Sequence, residues 1–152
     1  AAVVEEAGAW RRFLDQSDDG FLRTNPGPVI FSPMQYGAHV RDMLRVAGDR
    51  MIRGRDEDNP VVPIFNPPEE TFFGYNQLDR GELAADLEGQ AQRLAGIIDG
   101  MDAAAWSRTV TNDRGRYGVY SFTLAGLACN AAHEAHHHLL DANGTLTASS
   151  AS

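Results

Sequence analysis

Ser32-Pro33-Met34-Gln35-Tyr36-Gly37-Ala38-His39-Val40-Arg41-Asp42 is the stretch that decides the fold. Serine is a good helix cap, proline suits the first helical position, and a glutamine three residues after the serine completes a capping box. Tyr36, Val40, Met43, Ala47 and Met51 then recur on one face, which predicts a helix to about Arg53. His39 sits at the edge of that apolar stripe. Upstream, Val3, Ala7, Trp10 and Leu14 mark a first helix over Ala2 to Leu14. Downstream, Leu83, Leu87, Leu94 and Ile98 mark a third over about Arg80 to Asp99, with Gly100 as its stop. Ser121 is a candidate cap for a last helix running to about Ala142. Between the second and third helices, Pro60, Pro63, Pro67 and Pro68 exclude a continuous helix, and no strand alternation appears. A connection of this length either carries function or crosses the end of the fold, and Phe65, Phe72, Phe73 and Tyr75 give it apolar anchors. Arg108 to Gly118 is polar and reads as a loop. The predicted fold class is all-α: a four-helix bundle with a long crossover connection between helices 2 and 3, as a single domain over residues 1–144 with a flexible tail at 145–152.

Composition narrows the function classes. The chain has 152 residues with an ordinary apolar fraction of 43%, enough for one packed core. Its formal charge of -8 argues against nonspecific nucleic-acid binding and against docking on anionic lipid. The lone Cys129 allows no internal disulfide, and no segment is apolar enough to span a membrane, so a cytoplasmic protein is expected. The expected partner is a small-molecule substrate, with a homodimer left open.

The chemistry is concentrated in His133-Glu134-Ala135-His136-His137-His138-Leu139-Leu140-Asp141, which holds four of the five histidines. On a helix His133, His137 and Asp141 are four apart and share one line. Two imidazoles at that spacing can hold one transition-metal ion, a catalytic ion needs about three protein ligands, and His39 is the only histidine left. The candidate ligand set is therefore His39, His133 and His137. His133-Glu134-x-x-His137 also matches the zinc-hydrolase pattern in which Glu134 would be the general base. Leu140 and Asn143 break the extended form of that pattern. A non-enzymatic bundle that binds metal or a ligand is the third reading. Around the histidines, Tyr36, Asp42, Glu134 and Asp141 are candidates for the pocket or for orienting a ligand. For Glu134 a salt bridge with Arg41 or Arg45 is the competing role. Cys129 is expected as a buried, inert thiol.

These residues resemble a known family. Ser32 to Asp42 is similar to the "W-S-P-x-E-Y-x-x-H-V-R-D" opening of the second helix in actinobacterial members of the DinB-like superfamily. His133 to Asp141 resembles their closing "H-E-x-x-H-H-x-x-D", and Trp106-Ser107-Arg108 resembles the "W-x-R" before it. The resemblance runs from about Trp10 to Asp141. It implies a four-helix bundle with a crossover, and a divalent ion, zinc or nickel, on one histidine of the second helix and two of the last. Its mycothiol-dependent maleylpyruvate isomerases and related thiol transferases imply metal activation of a low-molecular-weight thiol, mycothiol or another. Arg108, Arg114 and Arg116 would be candidates to hold such a thiol. Phe31 and Gln35 stand where the family usually has Trp and Glu. Phe31 still suits a hydrophobic staple, whereas Gln35 removes a charge and any acid/base role with it.

Overall fold

The computed structural model describes the backbone of residues 1–149 and the side chains of residues 1–144. Four long helices carry the molecule: α1 (Ala2–Gln16), α3 (Pro33–Asp56), α5 (Arg80–Asp99) and α6 (Leu124–Ser149). Two short ones, α2 (Asp19–Arg23) and α4 (Glu69–Gly74), lie in the connections. α5 packs on both α1 and α3, and α6 packs on both from the other side, so α1 faces α3 across the core. Trp10, Leu14, Leu22, Met34, Leu44, Met51, Leu83, Leu87, Leu94 and Leu124 are fully buried there. Trp10 also donates its indole N–H to the carbonyl of Ala135 on α6 at 2.9 Å. That bond satisfies the one polar atom of a buried aromatic and fixes α1 against α6.

Local chemistry sets the start of α3. The Ser32 hydroxyl accepts from the Gln35 N–H at 3.1 Å, and Gln35 Oε1 accepts from the Ser32 N–H at 2.9 Å, which is the capping box. Phe31 meets Tyr36 at 5.5 Å between ring centroids, the staple that fixes the entry angle of the chain. Asp18 caps α2 and Asp79 caps α5 in the same way, each through its carboxylate.

The strictly all-α expectation needs correction. The chain is mostly helical, 69%, but a three-stranded sheet in the order β1-β2-β3 lies beside the bundle. β1 (Val61–Pro63) comes from the crossover and runs parallel to β2 (Thr109–Asp113), with Val62 opposite Asn112. β2 pairs antiparallel with β3 (Val119–Thr123), with Thr111 opposite Ser121. Arg108 to Gly118, expected as a loop, thus holds a strand and the hairpin turn, where Gly115 and Gly118 take positive φ. Ser121 is a strand residue. The hydroxyl that accepts from the first turn of α6 is that of Thr123, bonded to the Gly126 N–H at 3.0 Å. The sheet sits tight against α3 because Gly54 has no side chain. A Cβ there would meet Leu124 Cδ2 at 2.6 Å and Val110 Cγ1 at 2.8 Å. The backbone of α6 continues to Ser149, past the expected end near Ala142. The expected tail, residues 145–152, lies outside the described side chains, and residues 150–152 lie outside the described residues altogether.

Candidate functional site

α6 turns one stripe of small residues to the core: Ala131, Ala135 and Ala142, with Leu127 and Leu139 beside them. That stripe fixes which histidines can reach the interior. Position 138 falls within it and position 134 on its flank, whereas 133 and 137 lie further round the helix. Accordingly the His138 side chain is 17% exposed and that of His137 is 55% exposed. His133 and His137 stack in parallel on the outside, 5.9 Å between centroids. His136, also outward, reaches Glu6 on α1 through Nδ1 at 3.2 Å.

His39 projects from α3 into the space beside α6. Its ring lies 5.2 Å from that of His138, edge to face, and packs on Phe65 and Phe72 of the crossover, each at 5.9 Å. Its Nδ1 is buried and has no hydrogen-bond partner. Burial, reinforced by His138 and opposed by Asp42, lowers its pKa to about 4. It is therefore neutral at physiological pH, the form in which imidazole binds metal. His138 is held on three sides. Its Nδ1 is 3.1 Å from Asp141 Oδ2, its Nε2 is 3.5 Å from Glu134 Oε2, and Tyr36 stacks on its ring at 5.4 Å.

The histidine whose ring meets that of His39 is thus His138, because the alanine stripe, and not the spacing of the histidines, sets which face of α6 turns inward. Among the described residues, no three His, Cys, Asp or Glu side chains are gathered tightly enough to hold an ion as they stand. His39, His138 and Glu134 lie close together without meeting that condition.

The other candidates divide clearly. Tyr36 and Glu134 both touch His138, and Asp141 lies between His137 and His138. The Glu134 contact is with His138, while Arg41 pairs with Asp42 and Asp86, and Arg45 with Asp49. Asp42 accepts from the Tyr75 hydroxyl at 2.5 Å, and burial together with that carboxylate raises the phenol's pKa. Cys129 is exposed, not the buried thiol expected. Arg108 is occupied structurally, donating to the carbonyls of Gly54 at 2.7 Å and Glu57 at 2.6 Å, just beyond the last turn of α3. Arg116 lies over the exposed Tyr117. Arg114 lines the cavity described next.

A cavity of about 410 Å³ opens beside His39 and Glu134. Met43 and Arg50 on α3, Leu127 and Asn130 on α6, Phe65 of the crossover, and Asn112, Arg114 and Phe122 of the hairpin wall it. The sheet is therefore part of the site as well as of the fold. The volume suits a small molecule.

Residues 3–140 match the sequence model of the DinB superfamily, and the chain belongs to it. Comparison with curated proteins finds no significant match. Two of the solved structures that share the fold illustrate it. One is YfiT from Bacillus subtilis, described as a probable metal-dependent hydrolase with an unusual four-helix bundle topology. It superposes with a TM-score of 0.75 at 18% identity, over 94% of this chain and 81% of its own. The other is the mycothiol-dependent maleylpyruvate isomerase, with a TM-score of 0.71 at 17% identity, over 92% of this chain but only 57% of the isomerase.

Proposed function

We propose that this DinB-superfamily chain is a metal-dependent enzyme that holds one divalent ion through His39, Glu134 and His138 and acts on a small molecule with a low-molecular-weight thiol as cosubstrate. The observation that carries the reading is the buried, unpartnered Nδ1 of His39, which faces a histidine–carboxylate pair beside a cavity. A buried polar atom without a partner costs about 1–3 kcal/mol, and a bound cation would offset that cost. His138 supports the same reading. With its proton on Nδ1, donated to Asp141, its Nε2 and Glu134 Oε2 present two lone pairs to each other at 3.5 Å. A cation between them turns that repulsion into ligation. Two imidazoles and a carboxylate suit borderline divalent ions, zinc and nickel among them.

When bound, such an ion stabilises thiolate over thiol and so supplies a nucleophile at neutral pH. The remaining roles fall to the chain itself. Phe65 and Phe72 keep water from His39, Tyr36 fixes the plane of His138, and Asp141 fixes its tautomer. The mycothiol-dependent and metal-dependent descriptions of the two fold relatives are consistent with this assignment.

Two competing readings keep specific support. The ligand set His39, His133 and His137 is favoured by the parallel stack of the last two rings. Hydrolysis with Glu134 as base is favoured by its place on the cavity wall. Zinc content and turnover of Glu134→Gln separate the roles of that residue. As a ligand, its loss strips the ion. As a general base, its loss leaves the ion and abolishes turnover. Retention of both ion and turnover refutes the proposal.

A further inference from the structure

The wall of the cavity carries two cations that the rest of this acidic chain does not neutralise. Arg11, Arg23, Arg41, Arg45, Arg53, Arg55 and Arg93 each pair with a carboxylate. Arg50 and Arg114 line the cavity, and among the described residues neither has a carboxylate partner. Arg50 is half-buried and its guanidinium is tied at one corner only, donating to the carbonyl of Pro63 at 2.6 Å. Burial lowers its pKa, so the cation is held there against a desolvation cost. Arg114 lies over the ring of Tyr120 at 5.7 Å, which fixes its direction without occupying its N–H groups. Asn112 of β2 also lines the cavity, and its Oδ1 is buried without a partner and lacks a donor.

We propose that Arg50, Arg114 and Asn112 form a carboxylate-binding subsite, and that the substrate taken by this cavity carries one carboxylate, one hydrogen-bond donor and an apolar segment. The guanidinium forks match a carboxylate, the donor satisfies Asn112, and Phe65, Phe122 and Leu127 cover the apolar part. A phosphate dianion fits less well, because Glu134 on the same cavity repels the second negative charge. In the metal-free protein the negative charge of Glu134, on the same cavity, disfavours a ligand carboxylate at the His39 end. The inference builds on the enzyme reading only for what happens at the His39 end; the subsite itself needs no metal.

The test uses N-acetyl-L-phenylalanine, which carries all three features, and its neutral carboxamide. Each is titrated calorimetrically into the protein as purified and again after chelator treatment. The acid is expected to bind at least tenfold more tightly than the amide in both preparations. Arg114→Gln and Arg50→Gln should each erase that preference, and Arg55→Gln should keep it. Arg114 has no structural bond to lose, so its variant stays informative if Arg50→Gln fails to fold. Equal binding of acid and amide, no binding of either, or a preference that survives in Arg114→Gln overturns the subsite. A failed metal site with an intact acid preference overturns the enzyme proposal alone.

Discussion

Gln35→Ala is the substitution through which local sequence, packing and the site can be probed together. Gln35 is 2% exposed and both of its side-chain polar atoms are engaged. Oε1 accepts from the Ser32 N–H at 2.9 Å and from Asn25 Nδ2 at 2.6 Å, while Nε2 donates to the Phe72 carbonyl at 3.0 Å. Truncation leaves the Ser32 N–H and the Phe72 carbonyl without partners and opens a void. Asn25 is exposed and recovers its bond from water. Two orphaned groups at about 1–3 kcal/mol each, partly relieved by water at Phe72, give a loss of about 3 kcal/mol. For a chain of this length that lowers Tm by about 6–12 °C. Gln35→Glu keeps the cap but loses the donor to Phe72 and buries a charge, so it should be destabilised as well, and increasingly as the pH rises above the carboxyl's range. Because Phe72 packs on His39, both variants should also weaken metal binding more than a remote variant of equal stability. Urea denaturation of metal-free protein, together with zinc titration, measures both effects. A loss below about 1 kcal/mol for Gln35→Ala would refute the claim that this side chain ties the crossover to α3.

Two further predictions follow from the same contacts. Gly54→Ala should cost about 1–3 kcal/mol by prying β2 and the first turn of α6 from α3, and Gly54→Leu should cost more; unchanged thermal midpoints would show that the sheet is not seated there. Metal-free protein should lose stability on acidification because of His39. Its folded pKa of about 4 lies below the ordinary 6.5, so the unfolded chain binds the proton first. The contribution is complete above pH 6.5 and falls away toward pH 4, by about 3 kcal/mol at most. His39→Gln should flatten that part of the stability–pH curve, and an unchanged slope would refute the cause assigned.

The helices were readable because their signals are local. The Ser32–Gln35 box, the Gly100 stop and the spacing of Leu83, Leu87 and Leu94 each need only neighbours along the chain. The sheet was not. β1 is three residues inside a proline-rich stretch, and all five residues of β3 are exposed, so no alternation marks either strand. The pairing of β1 with β2 joins Val62 to Asn112, a contact that no local pattern records. The site was half readable. His39 and the histidine-rich stretch were visible, but the register of α6 was set by Ala131, Ala135 and Ala142, residues too small to stand out as a hydrophobic stripe. That register turns His138 toward His39 and leaves His133 and His137 outside. Arg50 escaped notice because it sits in an ordinary helix, and only the folded crossover and hairpin close a cavity over it.

The most direct test of the central claim is the metal content, by elemental analysis, of tag-free wild-type protein and of its His39→Ala, His138→Ala and His137→Ala variants after equilibration with zinc and desalting. The account predicts about one ion per chain in the wild type and in His137→Ala, and close to none in His39→Ala and His138→Ala. Retention by His138→Ala with loss in His137→Ala would contradict it in favour of the outer pair, and equal content in all four would leave no shared site at all.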